Sequence, residues 1–317
     1  MTRLKKSGGH PCMRGNAAVL RIEPGMSPDF FTARFAILLL AAVTASAAGT
    51  PQRIISASPS ASEILYGVGA FDKVVAVSDY CTYPPAAKSL PRIGGWSTPS
   101  LETIAGLRPD LVVLTDSQAP LVEDHLRELG LQTLVTPSRT IQDVFTAMEL
   151  IGRGTGHERE AGALVAATRA TLERVRTRAR ALSRPTVLCI VDRTPGTLRD
   201  LYATTQHSYM GELIELAGGR IAAPAARAGY VRISKEILLT LNPDIVIDMV
   251  QGAKGELAED PQAVWRELPG LRAVRTGRIY PIRDEYLLHA SQMIARSAVT
   301  LARILHPEVP PRDWEKQ

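Results

Sequence analysis

A chain of 317 residues, 45% hydrophobic and 22% charged with a mean hydropathy of zero, can bury a sizeable core but exceeds the size at which one core keeps growing. Two lobes are therefore expected. The apolar content excludes disorder, an apolar run confined to the N-terminus excludes a polytopic membrane protein, and three cysteines are too few for a disulfide scaffold. The formal charge of +5 sits mostly in the leader: residues 1–47 hold six of the 37 basic and two of the 32 acidic groups, leaving 31 against 30. No electrostatic case for nucleic acid survives that correction.

In chain order, the first element is an export signal at 1–47. Arg34 precedes the apolar run Phe35 to Val43, and Thr44-Ala45-Ser46-Ala47 supplies an A-x-A cleavage site. The run is too short to span a bilayer. The stretch before Met26 is polar and patternless, so Met26 is an alternative start. No cysteine stands at the cleavage site after the apolar run, so a lipid anchor at the mature N-terminus is not expected and the mature chain should be soluble in the periplasm.

The mature chain reads as βα units. Arg53–Ser58 is a strand, and Ser60 begins a helix with Glu63 three residues on as a capping box. Gly67 and Gly69 end that helix, and Val74–Ser78 is the next strand. Leu111–Thr115 and Gln132–Thr136 flank the helical stretch Leu121–Leu129. Glu158–Leu182, without internal proline and bounded by Gly156 and Pro185, reads as one long helix. Its arginines (Arg169, Arg174, Arg176, Arg178, Arg180) are either a binding patch or, as we read them, a solvated face. Thr186–Asp192, Ile245–Val250 and Arg278–Ile282 follow as strands. The predicted class is α/β, with two Rossmann-like lobes (48–156 and 184–317) of parallel sheet, bridged by a helix at 157–183 and enclosing a cleft.

The chain also contains itself twice. Glu102-Thr-Ile-Ala-Gly-Leu107-Arg-Pro109-Asp110 and Glu236-Ile-Leu-Leu-Thr-Leu241-Asn-Pro243-Asp244 share E-x4-L-x-P-D at an offset of 134 residues. Gly95-Trp96 and Gly229-Tyr230 keep the same register. A looser match pairs Glu63-Ile-Leu with Glu212-Leu-Ile, each six residues before a glycine, Gly69 and Gly218.

Tyr80, in the loop after Val74–Ser78, and Trp96 and Tyr230, in glycine-flanked loops, are expected to face one another across the cleft; the alternative is that they plug the lobe cores. At 5% aromatic content the chain uses such residues sparingly. Glu102 and Glu236 fall in the first turns of helices begun by Ser100 and Ser234. They either complement the helix dipoles or form one exposed acidic knob per lobe for a two-fold partner.

These motifs, with Arg53-Ile-Ile-Ser-x-Ser-Pro-Ser-x-x-Glu63, Tyr80-x-x-Tyr83-Pro84-Pro85 and Gly94-Gly95-Trp96, resemble the periplasmic iron-siderophore and vitamin B12 binding proteins of ABC importers over residues 52–306. The resemblance implies that the protein is not an enzyme and has no intrinsic cofactor. It implies a monomer that carries a corrinoid, or else a ferric siderophore or haem, to a dimeric permease docked on Glu102 and Glu236. It is strongest with the cobalamin-binding branch, whose members flank the corrin with aromatic rings and need not ligate cobalt. It assigns ligand contacts to Tyr80, Trp96, Tyr230 and Tyr286. Tyr80, His207, Tyr209, Tyr286 and His289 are the groups able to face iron; no metal ligand is assigned among them. The last loop, Asp284 to His289, is one residue longer than the family pattern.

An extracytoplasmic enzyme on a duplicated α/β scaffold is the alternative of another class. Against it, the G-x-G-x-x-G, G-x-x-x-x-G-K-[ST], G-x-S-x-G and H-E-x-x-H patterns are all missing from the sequence. Cys81 reads as a loop filler and Cys189 as core, in different lobes and unpaired.

Overall fold

The computed structural model describes residues 49–249 and 262–315. The predicted export signal, the alternative start at Met26 and the last residue of the predicted strand ending at Val250 lie outside those residues.

The first helix shows how local chemistry starts an element. Ile54–Ser56 forms strand β1, and Ser58 follows in an extended conformation with its hydroxyl accepting from the Ala61 amide at 3.2 Å. This cap, with Pro59 at the first helical position, starts α1 (Pro59–Gly67). The helix begins at Pro59 and not at Ser60, so Glu63 lies too deep to close a capping box. It is 2% exposed and its side chain leaves the helix for the other lobe. A capping box does occur at Thr140 and Asp143, where it starts α4 (Ile141–Thr155), a helix not predicted from the pattern.

The first lobe is completed by β2 (Val74–Val77), α2 (Leu101–Gly106), β3 (Leu111–Thr115), α3 (Ala119–Glu128) and β4 (Thr133–Thr136). Its four strands are all parallel, in the order β2-β1-β3-β4. They are mostly buried, and helices cover the faces, as a parallel sheet requires.

Helix α5 (Glu158–Ala179) then joins the lobes. Its buried residues Ala161, Val165, Thr168, Leu172, Val175 and Ala179 recur every three or four positions and form one stripe. Most of its arginines lie off that stripe and exposed, which fits the reading of a solvated face. The stripe belongs to a hydrophobic cluster holding Ile54 and Met148 of one lobe with Val187 and Leu301 of the other. A core shared in this way leaves little room for large rotation between the lobes.

The second lobe contains β5 (Thr186–Asp192), β6 (Leu201–Thr204), α6 (Tyr209–Leu216), β7 (Arg220–Ile221) and β8 (Tyr230–Ile233), followed by α7 (Lys235–Leu241), β9 (Ile245–Met249), α8 (Arg272–Arg275), β10 (Ile279–Ile282) and α9 (Ile294–Leu305). The strand order is β10-β9-β5-β6-β8, with β7 also on β5. β10, β9, β5 and β7 run parallel, but β6 and β8 are antiparallel. The expectation of an entirely parallel second sheet is therefore corrected. The short connection from β5 to β6 needs no crossover helix, and only antiparallel pairing permits that; β8 joins β6 after α6 and β7.

The repeated E-x4-L-x-P-D segment is the same corner in both lobes. Ser100 and Ser234 cap α2 and α7, their hydroxyls accepting from Thr103 and Ile237. The helices end on Arg108 and Asn242, both left-handed at φ 46° and 39°. The prolines then direct the chain into β3 and β9. Asp110 accepts from the Gln52 and Arg53 amides at 2.7 and 2.9 Å; Asp244 accepts from the Thr186 amide and hydroxyl, both at 2.8 Å. Each aspartate thus ties its strand to the neighbouring β1 or β5. Burial works against the charge on Asp244, but these bonds and the nearby Arg272 and Arg278 hold its carboxyl below the usual range.

Candidate functional site

A cavity of about 1010 Å³ opens between the lobes. Tyr80, Trp96 and Tyr230 all line it. Tyr80 is 59% exposed on the loop after β2. Trp96 sits on a turn whose path is fixed at both ends: the Asp79 amide donates to Gly94 O at 3.0 Å, and the Gln118 side-chain amide donates to Trp96 O at 3.0 Å. Gln118 is 1% exposed and its amide nitrogen also holds Ala57 O at 2.9 Å, so it anchors the turn to the end of β1. The glycine before Trp96's own, Gly94, takes φ +96°, which a side chain would strain.

Tyr230 opens β8; it is not in a loop as expected. Thr205 holds the segment, its amide donating to Gly229 O at 2.9 Å and its hydroxyl to Ala228 O at 2.7 Å. A Cβ at Gly229 would come within 3.2 Å of the Ser208 side chain, so a glycine here lets the strand lie against the start of α6. Tyr230 is 43% exposed, yet the cleft wall around its phenol removes enough water to push it up to about 12, with Cys189 adding a smaller push. The ring therefore enters the site uncharged.

Tyr286 is placed elsewhere. It is not among the cavity's lining residues. Its hydroxyl meets that of Thr300 on α9 at 3.0 Å, and its ring lies under the Arg296 guanidinium at 4.2 Å. Packing against α9 turns it away from the cleft, although its neighbours Glu285 and Leu288 do line the wall. Of the remaining candidates, His207, Tyr209 and His289 line the cavity. Tyr209 is buried with its hydroxyl donating to Leu287 O at 3.2 Å, and burial holds that phenol well above its ordinary value. His289 Nδ1 lies 2.7 Å from Glu63 Oε1. Besides Asp116, Asp284 and Glu285, the charged part of the wall carries Arg139 from the first lobe and Arg283 from the second. The sequence signal for these two was absent, since neither lies in a repeated motif.

Glu102 and Glu236 are both exposed in the first turns of α2 and α7. Glu102 makes no hydrogen bond or ion pair among the described residues. Ser234 and the first-turn backbone hold the Glu236 carboxyl below the usual range. Every other repeated position of the motif has a structural partner or a backbone role. Of the two glutamates, Glu236 meets only its own cap and first turn, and Glu102 meets no partner among the described residues. Cys81 and Cys189 are free and buried, and no described helix is long and apolar enough to cross a membrane.

Comparison with known proteins decides the family. Residues 54–286 match the family described as Periplasmic binding protein. The chain belongs to the periplasmic binding protein family. It is 27% identical to the uncharacterized ABC transporter substrate-binding lipoprotein YvrC of Bacillus subtilis, over 81% of each chain. It is 28% identical to the vitamin B12-binding protein of Yersinia pseudotuberculosis, over 85% of this chain and 92% of that one. Among solved structures, a periplasmic heme binding protein from Pseudomonas aeruginosa superposes with a TM-score of 0.72 at 25% identity, covering 82% of this chain and 94% of that one. This binding protein is accordingly of the ABC-importer type, in a family that binds small molecules for transport and is not a family of enzymes. The comparisons include both vitamin B12 and heme binders.

Proposed function

We propose that this binding protein captures a bulky, partly flat metal chelate of the corrinoid (vitamin B12) type, or a related haem or ferric siderophore, in the periplasm. It then delivers the ligand, as a monomer, to an ABC-importer permease dimer that docks on Glu102 and Glu236. The observation that carries this reading is the pairing of Trp96 with Tyr230: residues at one repeat position in two lobes, both on the wall of one cavity. A ring from each lobe, with Tyr80 beside them, suits a ligand with extended faces, each contact adding about 0.5–1.5 kcal/mol beyond area burial. The volume lies at the top of the roughly 300–1,000 Å³ range of small-molecule sites. Because the lobes share a core across α5, affinity comes from a preformed cleft and little energy goes into closure.

A thermal-shift panel of cyanocobalamin, cobinamide, ferric haem and several ferric siderophores tests it. A true ligand at 100 times its dissociation constant stabilises the fold by about 2.7 kcal/mol. A flat response to every member rejects the reading.

A further inference from the structure

The looser sequence repeat acquires a meaning in three dimensions. Glu63 on α1 and Glu212 on α6 both reach out of their own lobe. Glu63 accepts from His289 Nδ1 at 2.7 Å and from the Ser291 hydroxyl, both of the second lobe, while Gln292 donates to its backbone oxygen at 2.7 Å. Glu212 accepts from the Ile141 amide of the first lobe at 2.7 Å. Each carboxylate is a latch between the lobes, and Gly69 and Gly218 close the two helices alike at φ +86° and +90°.

The two latches end differently. Glu212 ends on a backbone amide. Glu63 ends on an imidazole that itself lines the cavity. A latch alone needs only a donor, as Ile141 shows, so the histidine calls for a second role. An ionised carboxylate can only accept, which makes Nδ1 the donor and leaves the neutral ring's lone pair on Nε2. That nitrogen has no partner among the described residues, and it is not one of their buried, unsatisfied polar atoms. An imidazole whose other nitrogen is held by a carboxylate is oriented and made more basic, the usual arrangement of a metal-bound histidine. Among the described residues no group of three or more His, Cys, Asp or Glu could hold a bare ion. A single donor suits a metal that arrives already chelated and lacks one axial ligand.

We infer that His289 Nε2 ligates the metal of the cargo and that Glu63 is the positioning residue behind it. This rests on the metal-chelate reading and narrows it to macrocycles with an exchangeable axial position, such as ferric haem or aquated cobinamide. Cyanocobalamin, whose two axial positions are filled, has no place for the imidazole. The step is a ligand exchange: an axial metal–water bond breaks, a metal–Nε2 bond forms, and neither electron nor proton moves.

The test uses the visible spectrum and dissociation constant of the ferric-haem and cobinamide complexes of the mature protein. His289→Asn retains an amide near the Nδ1 position to satisfy Glu63 while deleting Nε2, so the latch survives. It should move the haem absorption bands and weaken haem and cobinamide at least about tenfold. Free imidazole should restore the original bands. Glu63→Gln should shift the bands with haem still bound, and Glu212→Gln, which touches a latch but not the cavity, should leave them unchanged. If haem or cobinamide binds the wild type and its spectrum ignores His289→Asn, the inference is overturned while the metal-chelate reading stands. Binding of cyanocobalamin or a ferric siderophore alone has the same consequence. If no chelate binds, both fall.

Discussion

The two lobes are copies of one plan that diverged at one edge of the sheet. β1, β3 and β4 in the first correspond to β5, β9 and β10 in the second, and in both the E-x4-L-x-P-D corner feeds the strand beside the central one. On the far side of the central strand they part. The first lobe has β2 and a long loop that carries Tyr80 and Trp96; the second has antiparallel β6 and β8, with Tyr230 on β8. The ring position at the cavity is kept while the backbone beneath it changes from turn to strand. What the duplication preserved is therefore a pair of surfaces, a cavity wall and an acidic corner, more than a set of elements.

The sharpest way to test that equivalence is at the acidic corners. Glu102→Ala with Glu236→Ala removes no contact between elements, so folding and ligand affinity should stay within about twofold of wild type. Ligand uptake by cells that carry the cognate permease should be lost. Lost affinity with retained uptake would assign these carboxylates to the ligand.

The ring pair is expected to show the next largest effect. Trp96→Ala and Tyr230→Ala should each weaken ligand binding by about 2 kcal/mol, roughly thirtyfold, measured by titration with whichever chelate stabilises the fold. Tyr286→Ala, packed against α9, should leave affinity nearly unchanged. A strong effect at Tyr286 with none at Tyr230 would break the proposed symmetry.

The aspartates at the corners sharpen the comparison through stability. Asp244→Ala strands the partly buried Thr186 amide and hydroxyl and should cost about 1–3 kcal/mol in denaturant unfolding. Asp110→Ala releases exposed amides and should cost about 1 kcal/mol or less. Equal losses would show that the two corners bear the same load despite their different burial.

Much of this was legible in the sequence because it is local or repeated. The long helix, the strands Leu111–Thr115 and Thr186–Asp192, and the capping serines Ser100 and Ser234 follow from short-range pattern. Two of the misreadings share one cause. Glu63, read as a capping group, meets His289 226 residues away, and Tyr286 turns to Thr300 because of how α9 packs. The first partner lies beyond any sequence window, and the second, 14 residues on, is met only because α9 folds back. β6 and β8 escaped because exposed Tyr202 and Arg232 interrupt their apolar runs, and Gln118 because a buried glutamine that serves two carbonyls looks like any polar residue at a helix start.

The smallest expected effect concerns three acids of the second lobe at high pH. Burial pushes the Cys189 thiol up to about 12 and holds Tyr209 well above 10, and the cleft wall pushes the part-exposed Tyr230 phenol up to about 12. In the unfolded chain these groups lose their protons nearer pH 9 to 10. Between those values and about 12 the folded state holds more protons than the unfolded one, so stability falls as pH rises through this window and is fully present below it. Tyr230→Phe removes one of the three groups. Its unfolding free energy should therefore decline less steeply than that of wild type between pH 10 and 12, followed by circular dichroism, with the two curves parallel below pH 9. Parallel curves throughout would mean that the Tyr230 ring is as wet as an unfolded one, and the cleft wall would then lose one of its two matched faces.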